Sequence, residues 1–195
     1  MDFHQKIAVF ASGAGSNAQK IIEFFSGSQV SVALVVCNKP NAGVLEIAKK
    51  HHIATLLIEK EQFFKGNAYV DELKEAGVNF IVLAGFLWKI PSALIRAFPH
   101  GLINIHPALL PKYGGKGMYG HHVHESVIHN KEKESGITIH LCNKEYDKGE
   151  ILFQKRVPLS ESETPDSIAR AVLNLEHQFF PKVIEAFLLH GNVKL

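Results

Sequence analysis

Apolar residues gather in short runs along the first half of the chain: IAVFA from Ile7, VSVALVV from Val30, ATLLI from Ala54 and NFIVLAG from Asn79. Runs of this length without polar interruption suit strands buried on both faces, as parallel strands are. Between them, residues 16–25, 44–51 and 69–76 carry apolar positions at helical spacing, and the alternation predicts a βαβα chain. Gly77 fits the end of the third helix, because glycine takes up the left-handed conformation that closes a helix at no steric cost.

Beyond Pro99 the pattern changes. LINIH reads as a fifth strand, residues 107–120 as a loop rich in Pro and Gly, and the stretch after it as helical through Ile128. GITIHL and ILFQKRV place polar residues between apolar ones, the mark of an antiparallel edge with one covered face. A long final helix is predicted from Pro165 to about His190, with Thr164 as its cap, Pro165 in its first turn and Gly191 at its exit. The predicted class is α/β: a Rossmann-like open twisted sheet, mostly parallel with an antiparallel C-terminal part, and helices on both faces.

Composition narrows the function. With 195 residues, 46% hydrophobic and 21% charged, the chain supports one well-buried core, so a single domain is expected over residues 1–195. The net charge of +2 comes from Lys and Arg spread along the chain, with no dense basic run to follow a phosphate backbone, so nothing calls for nucleic acid as a partner. Two cysteines, Cys37 and Cys142, build neither a disulfide framework nor a four-cysteine zinc site. A reducing cytoplasm is the expected setting, since the N-terminal apolar run is too short for a signal peptide and no stretch approaches a membrane span.

Gly13, Gly15 and Ala18 fit G-x-G-x-x-A between a predicted strand and helix, where backbone N–H groups at a helix start can hold an anion. A tight strand-to-helix turn with no ligand explains the same glycines. The second strand ends Val35-Val36-Cys37-Asn38, without the carboxylate that would hold the ribose of a dinucleotide. That argues against NAD, and the absence of G-x-x-x-x-G-K-[ST] argues against a nucleotide triphosphatase. Ser16 and Asn17 add donors suited to a single phosphate.

Asn104 and His106 stand two apart, so on a strand they point to one side, at the end where open α/β sheets bind ligands. An amide and an imidazolium are both donors, the equipment that stabilises an oxyanion in acyl or formyl transfer. A turn contact for Asn104 and a structural role for His106, one of 12 histidines, account for the same residues. Asp147, in the loop EYDKGE, is the carboxylate that would orient a charged imidazole if it reaches His106. His121, His122 and His124 suggest a metal on a strand, but the segment reads as helical, where residues two apart do not face each other; no metal is expected.

The elements ASGAGSN, VLAGF, NIHPALLPKYGG, EYDKGEIL and LEHQFFP, in this order, closely resemble the phosphoribosylglycinamide formyltransferase family over nearly the whole chain. The resemblance implies transfer of a formyl group from N10-formyltetrahydrofolate to the amino group of glycinamide ribonucleotide in purine synthesis, with no metal and no covalent intermediate. It implies that about residues 1–100 form a phosphate-binding half and about 101–195 a folate and catalytic half. Asn104 and a charged His106 would then stabilise the oxyanion, with His106 relaying a proton and Asp147 supporting it. Gly15, Ser16 and Asn17 would hold the ribonucleotide phosphate, and Glu176 would meet the glycinamide end. Folate would meet Leu87, the main chain at Trp88 and Ile90, and the Asp147 loop.

The chain departs from the family pattern at Trp88 and Gly66, where some members carry arginines, at Leu173, at Ala108 in place of a common serine, and in a longer 114–120 loop. Two related activities share the N-x-H-P element. Methionyl-tRNA formyltransferase is expected to add a C-terminal domain and formyltetrahydrofolate hydrolase an N-terminal one, for which this length leaves no room. A nucleotide-binding module without chemistry would need neither the Asn104/His106 pair nor Asp147.

Overall fold

The computed structural model describes residues 4–193. They form two compact units that divide between Ile103 and Asn104. In the first unit the chain runs β1 (Gln5–Ala11), α1 (Ser16–Phe24), β2 (Val30–Cys37), α2 (Gly43–Lys50), β3 (Ala54–Leu57), α3 (Lys60–Lys65), α4 (Val70–Glu75), β4 (Phe80–Leu83) and α5 (Ser92–Ala97). Strand β1 lies between β2 and β4, and β3 pairs with the far side of β2, all parallel. The apolar runs of β1, β2 and β4 are the interior: Ile7, Val9, Val35, Ile81 and Val82 are fully buried. The run from Ala54 is not, for β3 is the last strand of the sheet and leaves Leu57 48% exposed, against the expectation of a strand buried on both faces. Periodicity missed α3 and α5 because each has six residues and buries a single side chain, Phe63 or Leu94, which leaves no repeat to detect.

Strand β5 (Leu102–His106) runs across the division. The second unit continues with α6 (His121–His129), β6 (Glu134–Leu141), β7 (Ile151–Pro158) and α7 (Pro165–His190). Strands β6 and β7 are antiparallel, with Ser135 opposite Val157 and Ile139 opposite Phe153. The class is thus α/β and mostly parallel, with an antiparallel C-terminal pair, as the alternation in β6 and β7 predicts.

Helix α7 begins as its sequence dictates. Thr164 Oγ1 accepts the Ser167 N–H at 3.2 Å, and the Ser167 hydroxyl accepts the Thr164 N–H at 2.9 Å, a reciprocal capping box. Gly191, with φ of 67°, closes the helix in the left-handed conformation. The helix buries Ile168, Val172, Phe180, Val183 and Ile184, and packs on β6 and α6.

Candidate active site

Asn104 and His106 lie two apart on β5, between the buried Ile103 and Ile105. His106 is 3% exposed, and its Nε2–H donates to the Tyr113 carbonyl at 2.7 Å. That bond leaves Nδ1 as the other imidazole nitrogen, 3.8 Å from Asp147 Oδ2, an ion-pair distance too long for a hydrogen bond. Asp147 adopts φ of 53° in the loop between β6 and β7, and its Oδ2 accepts the Gly115 N–H at 2.8 Å.

A residue that sequence reasoning missed completes the set. His140, on β6 and 2% exposed, donates Nδ1–H to the Leu141 carbonyl at 2.9 Å, which leaves Nε2 as the nitrogen facing Asn104 and Asp147. That nitrogen accepts from Asn104 Nδ2 at 3.1 Å and sits 3.6 Å from Asp147 Oδ1. Asn104, His140, Asp147 and His106 are therefore linked in one continuous series within the second unit. A carboxamide has two N–H groups, so binding His140 orients the Asn104 amide and leaves its second N–H for a ligand. The signal in the sequence was the period-two pattern of GITIHL, which sets Thr138 and His140 on the side opposite Ile137 and Ile139.

Burial pushes the His106 pKa down, the Asp147 charge and the Tyr113 carbonyl push it up, and His140 pushes it down; the outcome lies below the ordinary histidine value. For Asp147, burial pushes upward, but the His140 and His106 imidazoles and the Gly115 N–H outweigh it and hold the carboxyl below its usual range. Near pH 7, then, the carboxylate is ionised and the imidazole is neutral. The charged His106 expected from sequence meets the opposite shift, because the desolvation of a side chain this buried exceeds the attraction of a carboxylate 3.8 Å away. The neighbouring Cys142 thiol is pushed up to about 12 by burial and by Asp147, and stays protonated.

The loop after β5 is pinned from beneath. Thr138 Oγ1 donates to the Ala108 carbonyl at 2.6 Å and accepts the Leu110 N–H at 2.9 Å, while Gln154 Nε2 donates to both Thr138 Oγ1 and the Leu110 carbonyl, each at 2.9 Å. A Cβ at Gly114 would stand 2.5 Å from Leu110 Cδ2 and 3.2 Å from Asp147 Cβ, so a side chain there would press on Leu110 and on Asp147 itself. The histidines that follow are on helix α6, with His121 and His122 exposed beside Glu125 and His124 buried. Among the described residues no group of three or more His, Cys, Asp or Glu side chains is arranged to hold a metal ion. Glu176, which the resemblance assigns to the glycinamide end, is 8% exposed on the buried face of α7.

In the first unit the glycine loop leads from β1 into α1 through Gly15, whose φ is 83°. A Cβ there would lie 2.7 Å from Val44 Cβ and 2.8 Å from its Cα. No side chain caps α1, so the N–H groups of its first turn, beginning at Ser16 and Asn17, are directed to whatever lies before the helix. Gly15→Ala is expected to lower stability by at least about 1 kcal/mol, since it adds both left-handed strain and a steric clash. Urea denaturation checks this, and a midpoint equal to wild type would refute it. Leu87 N–H donates to Ser12 Oγ at 3.0 Å while the Leu87 side chain is exposed. Trp88 belongs to an aromatic cluster, with ring centroids 5.5 Å from Phe63, 5.6 Å from Phe64 and 6.2 Å from Phe86, and Ile90 is buried.

Comparison with known proteins places the chain in a group. A family model described as formyl transferase matches residues 5–184. The chain is 43% identical over 189 residues to a chloroplastic phosphoribosylglycinamide formyltransferase of Arabidopsis thaliana, covering 93% of this chain and 65% of the plant protein, just under two thirds of its length. It is 35% identical over 190 residues to phosphoribosylglycinamide formyltransferase of Bacillus subtilis, covering 94% of this chain and 95% of that protein. The crystal structure of phosphoribosylglycinamide formyltransferase from Anaplasma phagocytophilum superposes with a TM-score of 0.87 at 30% identity, covering 96% of this chain and 88% of that one.

Proposed function

The chain belongs to the formyl transferase family, and we propose that it transfers the formyl group of N10-formyltetrahydrofolate to the amino group of glycinamide ribonucleotide in purine biosynthesis. The relatives named phosphoribosylglycinamide formyltransferase support this reading. The observation that carries it is the series Asn104, His140, Asp147 and His106, a fixed amide donor and a buried imidazole joined through a carboxylate.

The substrate amine attacks the formyl carbon, and negative charge develops on the formyl oxygen while the amine nitrogen becomes acidic. The second N–H of Asn104, aimed by His140, donates to that oxygen. His106 enters neutral, takes the amine proton at Nδ1 and becomes an imidazolium opposite ionised Asp147. It then returns the proton to N10 as the C–N10 bond breaks, giving formylglycinamide ribonucleotide and tetrahydrofolate.

Gly15, Ser16 and Asn17 are assigned to the ribonucleotide phosphate, supported by the uncapped start of α1, and buried Glu176 to the glycinamide end. Folate is assigned to the main chain at Trp88 and Ile90, the exposed side chain of Leu87 and the Asp147 loop. A cytoplasmic setting agrees with the free thiols of Cys37 and Cys142. Among the described residues no helix is long and apolar enough to cross a membrane.

Tetrahydrofolate release from N10-formyltetrahydrofolate, followed by absorbance, is expected only when glycinamide ribonucleotide is present. Release without the ribonucleotide would instead identify a hydrolase, and no release under either condition would remove the enzyme assignment.

A further inference from the structure

The loop that faces His106 carries a second layer of interactions outside the reacting groups. Tyr113 adopts φ of 57°, a left-handed conformation that a residue with a side chain holds only when its surroundings enforce it. In this conformation its carbonyl accepts His106 Nε2–H at 2.7 Å. Its phenol reaches the other way, and the hydroxyl donates to Glu132 Oε1 at 2.9 Å. Lys112 Nζ grips the same oxygen at 2.8 Å, so one carboxylate, in the turn before β6, holds two consecutive loop residues.

We propose that Tyr113 and Glu132 are positioning residues for His106: the Glu132 carboxylate anchors the Tyr113 phenol, the anchored residue aims its carbonyl at Nε2, and Nδ1 is thereby left as the nitrogen that exchanges the proton. This inference rests on the formyl-transfer reading for its effect on rate, but its structural core does not. An imidazole with no partner on either nitrogen exchanges between two neutral tautomers and turns about its χ2 bond. A carbonyl accepting from Nε2–H removes both freedoms, because only the Nε2–H tautomer in one ring orientation keeps the bond. The same bond persists when Nδ1 takes up a proton, so His106 can pass between neutral and charged forms without moving. Asp147 Oδ2, on the Nδ1 side at 3.8 Å, receives its other N–H region only in the charged form. Neither Tyr113 nor Glu132 needs to touch a substrate for this.

The test is nitrogen-15 NMR of the imidazole in the ligand-free protein at a pH where His106 is neutral, with His106→Gln used to assign its signals. Wild type is expected to show His106 as the Nε2–H tautomer, and Tyr113→Phe and Glu132→Ala to shift toward a mixture of tautomers. In the formyl-transfer assay both variants are expected to lower kcat by roughly tenfold, the smaller end of what loss of an outer partner costs, with KM for both substrates unchanged. A Glu132→Asp variant that restores part of the rate and of the tautomer signal would support the anchoring role. An Nδ1–H tautomer in wild type overturns the proposal whether or not any variant folds. So does a wild-type tautomer preserved in both folded variants. Absence of formyl transfer in wild type, with the tautomer pattern as described, would instead refute the functional reading and leave the positioning of His106 standing.

Discussion

His106→Ala is expected to lower the single-turnover rate of formyl transfer by roughly 10²- to 10⁴-fold, the usual contribution of a positioned proton-transfer group. The argument rests on its isolation. The imidazole is 3% exposed, so bulk water has poor access to the place where the amine proton must go. The linked groups offer no replacement: His140 Nδ1–H is committed to the Leu141 carbonyl and its Nε2 to the Asn104 amide, and Cys142 stays protonated with its pKa pushed up to about 12. Asn104→Ala is expected to cost roughly 10²- to 10³-fold through loss of the oxyanion donor. The double variant is expected to lose less than the product of the two effects, because His140 and Asp147 join the two side chains into one unit. Rapid-quench measurement with saturating substrates reads all three rates. Rates within threefold of wild type for either single variant would remove that residue from the chemistry.

Much of this architecture was legible in the apolar pattern, and the exceptions have physical causes. The runs from Ile7, Val30 and Asn79 are read correctly because a strand buried on both faces admits almost nothing but apolar residues. Helix α7 runs from Pro165 to His190 as its sequence predicts, because Thr164, Pro165 and Gly191 each carry a distinct backbone signal. Helices α3 and α5 carry no such signal, and their lengths fall below the range in which periodicity speaks.

The site was legible in part. Asn104 and His106 announce themselves because two polar residues at a spacing of two interrupt an apolar strand. His140 follows the same rule on β6, but on a strand with the alternation of an antiparallel edge a polar residue at that position already has an ordinary explanation. Asp147 reaches His106 through a loop with φ of 53°, a conformation with no signature in an aspartate flanked by Tyr and Lys. The charge state of His106 was beyond reach for a different reason. It is the balance of burial and His140 against Asp147 and the Tyr113 carbonyl, and only the fold sets that balance.

The Asp147→Asn substitution separates the charge of that side chain from its shape. Asparagine keeps an oxygen to accept the Gly115 N–H but carries no charge for the His106 imidazolium that forms during transfer. Removing one partner of a buried pair costs about 3 kcal/mol at the lower end of the usual range, or roughly a hundredfold in kcat. The pH dependence gives a sharper reading. In the free enzyme His106 acts as a base, so kcat/KM rises as pH increases through its pKa, which burial holds below the ordinary histidine value of 6.5. Asp147 opposes that shift and His140 adds to it. His124, itself lowered by burial and by His121 and His106, lies within the same electrostatic neighbourhood. Taking away the negative charge removes the main influence that raises the His106 pKa. The acid limb of kcat/KM in Asp147→Asn is therefore expected to move to lower pH, while the plateau falls. A limb that stays in place, or moves upward, would mean that Asp147 does not govern the protonation of His106, and that the carboxylate serves this site only by holding the loop at Gly115.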